Sequence, residues 1–371
     1  MATASGKPRR ARKGTLWKNL SEGEVLSIVA NLFVGGMKPS DIVEHMHVHY
    51  GEMNFKQQHP YYYLRLAAAK GMFEFALSNA NDLGLQQRIR RKYTGLTTVE
   101  VVPTVVASDV AERAAKVFIE LVQQKVKLGV KDVRVGLMGG GTIMAVCRAL
   151  ARALARLEQA EKQRWPRLTF QALAVGESVR EPLEDPASFF TYFADATLNP
   201  LCRDYISLHA PVFSAPGERA IVTEEFKQLR KEAQSCDIVL ISAGTLADAH
   251  SFLGGLSTSA PEIWQKLSEN DCKGDLGRLP VSAQGPLPLD LFTNRPCTLV
   301  ALQDLQDMVK KDRRVLLVVA PCGDCHAHKG DIIETLLDLR HRGIELFNDL
   351  VCDSLSARNM RNLLRDPPRN A

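Results

Sequence analysis

The sequence predicts an α/β protein with a small helical head and a larger body built on a parallel sheet. Three observations lead there. From Thr97 onward, continuous apolar runs alternate with amphipathic helical stretches, the pattern of strands covered on both faces. Before that point the apolar residues recur at helical steps. Within the body, Val133–Ala151 (VRVGLMGGGTIMAVCRALA) runs from a buried strand through a triple-glycine turn into a helix expected to open at Thr142.

The basic tail comes first. Residues 1–20 carry Lys7, Arg9, Arg10, Arg12 and Lys13 and are expected to be disordered. Residues 21–78 form the expected helical head. Val25, Ile28, Val29, Leu32 and Phe33 lie on one helical face, and Gly35-Gly36 stops the helix. Ser40 and Asp41 open a second helix with Ile42, Val43 and Met46 on one side. A loop rich in His and Gly leads to a third helix, with Pro60 in its first turn and Tyr62 and Leu66 as its core pair. Met72–Phe75 reads as a short β element.

Helix, turn, helix, connection, helix and small strand is the order of a helix-turn-helix with a rudimentary, winged-helix-like wing. Lys56, Gln57, Gln58, His59, Tyr61 and Arg65 then become the groove- or phosphate-facing set, joined by Arg9 and Arg10 of the tail. A three-helix dimerisation module is the alternative. Residues 79–96 read as a linker helix ending in Arg88, Arg90, Arg91 and Lys92, a run that either lies along phosphate or is simply solvated.

Charge supports a nucleic-acid partner for the head. Residues 1–95 hold 14 Lys/Arg against 7 Asp/Glu, whereas the remainder holds 33 against 35. A basic quarter joined to a near-neutral body suits an anionic partner, double-stranded DNA first, although a solubilising basic surface gives the same count.

Compartment follows from what the chain lacks. The opening residues show no secretory signal, and the longest strongly apolar run, Val315–Ala320, is too short to span a bilayer. The eight cysteines, scattered from Cys147 to Cys352, do not form a disulfide framework. A cytoplasmic protein without membrane contact is expected.

Residues 97–371 are the expected α/β body. Strands are expected at Val99–Val106, Val133–Leu137, Phe170–Val175, Asp237–Ser242 and Arg314–Ala320, with helices at Val110–Leu128 and Asp331–Leu339. Ligands of such folds gather at the carboxyl ends of strands. The turns at Gly139–Thr142, Gly244–Thr245 and Pro321–Lys329 therefore form one candidate pocket. Glycines let the backbone approach a ligand, and the free N–H groups of the following helix suit an anion such as phosphate, with Thr142 as cap. A tight turn without a ligand is the plainer alternative. The segment is neither a Walker A loop nor a G-x-G-x-x-G dinucleotide turn.

The order of landmarks resembles the SorC-type sugar-responsive transcriptional regulators, related in logic to the DeoR type. The landmarks run from the helical head and Gly139–Thr142 through His209–Phe213, Asp237–Thr245 and Lys273–Gly277 to Val318–Leu337 and Phe347–Leu363. The resemblance implies a regulator whose Rossmann-like body has the fold of sugar-phosphate isomerases but binds an effector without turnover. It implies phosphate at Gly140, Gly141 and Thr142, beside Gly139, Gly244 and Thr245 of the candidate pocket already described. It further implies sugar hydroxyls on Asp275, in a Gly-Asp turn, and a ligand contact from Lys329. No catalytic residue and no cofactor other than the phosphorylated sugar effector is implied, and a homo-oligomer, dimer or tetramer, is expected. Departures are Ile143, where many members carry a second hydroxyl, and Ala320-Pro321-Cys322-Gly323 in place of Ala-Gly-Gly.

Cys322-x-x-Cys325-His326-x-His328 stands outside that pattern. Covalent haem would require export. A metal or redox site and a variant ligand loop both remain open, although adjacent Cys325 and His326 cannot easily share one ion. No metal is assigned. A sugar-phosphate isomerase or hydrolase, and a regulator with a decayed pocket, are the alternative functions.

Overall fold

The structure is a computed structural model, and it describes residues 17–34, 36–70, 81–174, 185–194, 198, 201–207, 213–214, 224–287, 295–296 and 298–363. The chain divides into two compact units, Met1–Ser78 and Asn79–Ala371. Arg9, Arg10, the Met72–Phe75 element and most of His209–Phe213 lie outside the described residues.

The head contains α1 (Glu22–Val34), α2 (Pro39–Tyr50) and α3 (His59–Ala69). Ser21 and Glu24 form a capping box at the start of α1: Ser21 N donates to Glu24 Oε2 at 2.7 Å, and Glu24 N donates to Ser21 Oγ at 3.3 Å. Pro39 opens α2, and Gly51 closes it with a left-handed φ of 67°. The core joins Val25 and Val29 of α1 to Ile42 and Met46 of α2 and Tyr63 of α3.

Two expectations for this unit change. Trp17, placed in the disordered tail by sequence, is buried against Phe55 and Tyr63, and its Nε1 donates to Tyr63 Oη at 2.7 Å. Glu52 anchors the same segment, its buried carboxylate accepting the N–H groups of Lys18 (3.0 Å) and Asn19 (2.6 Å). Consequently Tyr63, not Tyr62, is the core tyrosine, and Tyr62 is exposed. One residue is about 100° of helix rotation, and the Trp17 contact sets the phase.

The body begins with α4 (Leu83–Lys92), β1 (Thr98–Val102), α5 (Ala107–Lys127), β2 (Asp132–Leu137), α6 (Gly141–Ala155), α7 (Gln159–Lys162) and β3 (Arg167–Ala172). It continues through β4 (Cys202–Ile206), β5 (Phe213–Ser214), α8 (Glu224–Ala233), β6 (Ile238–Thr245), α9 (Leu256–Ser259) and α10 (Pro261–Glu269). Then follow β7 (Cys272–Leu276), β8 (Leu279–Ser282), β9 (Gly285–Pro286), β10 (Arg295–Pro296) and α11 (Leu302–Lys310). The described elements end with β11 (Arg314–Val319), α12 (Gly330–His341), β12 (Asp349–Asp353) and α13 (Ser354–Arg358).

Seven strands form a parallel sheet in the order β1-β12-β11-β6-β2-β3-β4. Alternate residues feed opposite faces, as the strand period requires. Val315, Leu317 and Val319 of β11 pack with α11 and α12, while Leu316 and Val318 pack with α5 and α6. At the amino end of the sheet, Arg314 Nε donates to buried Asp349 Oδ2 at 2.8 Å. A second, antiparallel layer grows from the far end of β6 through β7, β8 and β9.

The stretch expected as a linker helix behaves differently. Leu85, Ile89 and Tyr93 of α4 and its end are buried in the body core, and Asp82 N donates to Val101 O at 2.8 Å. Arg340 secures its exit by donating to Thr94 O at 3.1 Å and Gly95 O at 2.5 Å. No helix among the described residues is long and apolar enough to cross a membrane.

Candidate functional site

The strand order changes direction between β2 and β6. Chain order runs one way through β2, β3 and β4, then returns to β6 and continues through β11 and β12 on the other side. Such a switch point opens a crevice at the carboxyl ends of its two strands. The triple-glycine turn leaves β2 there, and Gly244–Thr245 ends β6 there.

Gly140 caps α6 with a φ of 109°, a conformation that favours glycine. Thr142 therefore lies inside the first turn of α6 and is not its cap, which corrects the expected helix start. A Cβ at Gly139 would lie 2.6 Å from the guanidinium of Arg278, and one at Gly140 would lie 3.6 Å from Ser242 Oγ. The missing side chain at Gly139 thus makes room for the Arg278 guanidinium against the turn. Ile143 is fully buried in the core, so it faces away from the crevice.

Asp275 lies in β7, in register with Gly244 of β6, and not in the turn expected from sequence. The turn follows at Gly277 and Arg278, with φ values of 58° and 70°. Arg278 N donates to Asp275 Oδ1 at 3.0 Å, while the buried Oδ2 has no partner among the described residues. Burial pushes the Asp275 carboxyl up to about 6, against the opposing pull of the Arg278 N–H, then of the Lys329 and Arg278 charges, and last of the Leu253 N–H. Arg278 is itself buried, with its guanidinium 5.2 Å from the centre of the Phe252 ring.

Lys329 stands at the start of α12, its N–H donating to Ser356 Oγ at 3.0 Å. The site therefore combines the amino ends of α6 and α12, the Lys329 and Arg278 cations, and one underbonded carboxylate. Helix amino ends and cations attract phosphate, and a carboxylate accepts hydroxyl donors. Sequence reasoning missed Arg278. Its only signal was its position directly after the Asp275-Leu276-Gly277 segment.

The Cys322–Cys325 loop also gains partners that spacing did not suggest. Ligand atoms of Asp248, His250, Cys322 and Cys325 all lie within 4.8 Å of one another. Neither His326 nor His328 belongs to this group. The Ala327 N–H, followed by Cys322 and His250, holds the Cys325 thiol below its ordinary range, whereas burial raises that of Cys322.

On the head, Lys56, Gln57, Gln58, Tyr61 and Arg65 are all exposed, as is Tyr62. His59 is not free in the same way. Its Nδ1 accepts the Lys56 N–H at 2.8 Å, and its ring packs on Trp17 and Phe55. It orders the amino end of α3 and is half-buried there.

The fold of the chain is similar to that of several solved transcriptional regulators. The full-length sorbitol operon regulator SorC from Klebsiella pneumoniae is similar over 91% of this chain and 97% of its own, at 16% identity and a TM-score of 0.57. A probable sor operon regulator from Shigella flexneri covers 75% of this chain and 98% of its own, at 17% identity and a TM-score of 0.56. A DeoR family transcriptional regulator from Listeria monocytogenes covers 75% of this chain and 98% of its own, at 16% identity and a TM-score of 0.54. These likenesses establish the fold. No family model and no curated protein sequence matches the chain.

Proposed function

We propose that the protein is a cytoplasmic DNA-binding transcriptional regulator whose body binds a phosphorylated sugar, or a related phosphorylated metabolite, as effector. The observation that carries this reading is the constellation at the β2–β6 switch point. Among the described residues, Asp275 Oδ2 is buried without a hydrogen-bond partner, beside Arg278 and Lys329 and the glycine turn. An unmet acceptor of this kind costs roughly 1–3 kcal/mol, a cost that a ligand hydroxyl would offset. Gly139, Gly140, Gly141, Thr142, Arg278 and Lys329 take the phosphate, and Asp275 takes the hydroxyls, with Gly244 and Thr245 giving room beneath it.

The head supplies DNA contact through Lys56, Gln57, Tyr61 and Arg65, together with Arg9 and Arg10 of the tail. A homo-oligomer places two heads on a palindromic site. Effector binding shifts the distribution between two states by its differential affinity for them. The likeness to regulators along nearly the whole chain, head included, supports this reading.

A carboxyl near 6 also suits a general base, which keeps a sugar-phosphate isomerase as the second reading. Selection of bound fragments from a genomic DNA pool, repeated with a panel of phosphorylated sugars, separates the two. A palindromic site whose affinity responds to one sugar phosphate is the expected result. No enriched site, with turnover of a sugar phosphate, would establish the enzyme instead.

A further inference from the structure

Next to the crevice, two loops that meet only in the fold bring together an S₂NO donor set. Asp248 and His250 sit in the loop after β6, and Cys322 and Cys325 sit in the loop between β11 and α12. The second loop is folded back on itself, with Cys322 N donating to Ala327 O and His326 N donating to Cys322 O, both at 3.1 Å. His326 takes a left-handed φ of 56° to complete the turn. Both thiols are thereby presented on one side, toward Asp248 and His250.

The separations fit one ion. Cys325 Sγ lies 3.6 Å from Asp248 Oδ1, and His250 Nδ1 lies 3.3 Å from the same oxygen. With metal–ligand distances of about 2.3 Å for sulfur and about 2.0 Å for nitrogen and oxygen, the edges of a zinc tetrahedron are about 3.5 Å and about 3.3 Å. Two thiolates, an imidazole and a carboxylate suit a borderline divalent cation such as zinc far better than magnesium or calcium. Asp248 and Cys322 are buried, whereas His250 and Cys325 are exposed, which leaves the ion a route in from solvent.

We propose that Asp248, His250, Cys322 and Cys325 form a tetrahedral zinc site that fastens the β6 loop to the β11–α12 loop. Each thiol gives up its proton as it binds the ion, so affinity falls as pH is lowered. The second loop ends at Lys329, so the ion fixes the segment that carries that cation. The inference concerns this chain's own side chains and stands whether or not the crevice takes a sugar phosphate.

The test uses the full chain, reduced and stripped with a chelator. Cobalt(II) should bind one ion per chain with a thiolate charge-transfer band and the visible spectrum of a tetrahedral centre, and zinc should displace it. Cys325→Ser and His250→Ala, both at exposed positions, should each weaken zinc more than roughly tenfold with an unchanged circular dichroism spectrum. His326→Asn, which tolerates the left-handed turn, should bind as the unaltered chain does. Absence of the charge-transfer band would overturn the proposal. Zinc binding that survives Cys322→Ser combined with Cys325→Ser, or that is indifferent to His250→Ala, would overturn it equally.

Discussion

Asp275 and Gly244 face each other across the antiparallel β6–β7 pair, and a Cβ on residue 244 would lie 2.8 Å from Asp275 Oδ2. The same Cβ would lie 2.9 Å from the Cβ of Ser251. Glycine at 244 is what lets a carboxylate lie flat over the end of β6. Gly244→Ala should therefore displace Asp275 and cost about 1–3 kcal/mol. Chemical denaturation reads the stability loss, and sugar-phosphate titration should show a parallel loss of affinity.

Asp275 also makes stability depend on pH in a defined direction. Its folded carboxyl titrates at about 6, above the ordinary 3.8. Between these values the unfolded chain has already lost the proton that the folded chain retains. Stability contributed at this position therefore falls as pH rises through that window, and the cost is complete above about 6. Asp275→Asn should be more stable than the unaltered chain at pH 7 by about 3 kcal/mol, with the difference vanishing below about pH 4. Paired unfolding curves at the two pH values test this, and the same variant should bind effector less tightly.

Arg278 should carry phosphate affinity. Arg278→Ala removes the guanidinium that lies over Gly139 and the Phe252 ring. Charged hydrogen bonds of this kind are worth about 1.5–3 kcal/mol, so affinity for a phosphorylated ligand should fall roughly 10- to 100-fold. The unphosphorylated counterpart should be affected far less.

On the head, Lys56→Ala and Arg65→Ala should weaken DNA binding without regard to sequence. Each should also lower the slope of log affinity against log salt by about 1, measured by anisotropy over a salt series. Trp17→Ala is a different kind of change. It removes a buried ring and its hydrogen bond to Tyr63, so it should destabilise the head by about 3–5 kcal/mol and abolish DNA binding through unfolding of that unit.

The parallel strands were legible because their apolar runs are continuous: β2 and β11 fall within a residue of the spans expected. Apolar periodicity also located α5 and α12. It could not find Arg278, whose role depends on a left-handed turn that brings it over a glycine more than 130 residues earlier in the chain. Nor could it pair Cys322 and Cys325 with Asp248 and His250, because the parallel neighbours β6 and β11 create that proximity. The Tyr62 and Tyr63 exchange has the same origin, since helical phase was read from α3 alone while Trp17 fixed it from outside. The cap of α6 shifted because an unusual φ at Gly140 replaced the side-chain oxygen that Thr142 seemed to offer.

The most direct measurement is calorimetric titration of the full chain with phosphorylated sugars, each beside its unphosphorylated form, with product formation monitored in the same samples. One phosphorylated sugar should bind stoichiometrically and unchanged, at least roughly tenfold more tightly than its unphosphorylated form, and Arg278→Ala should remove the difference. Conversion of the sugar phosphate, or binding that is indifferent both to the phosphate and to Arg278, would contradict the proposed function.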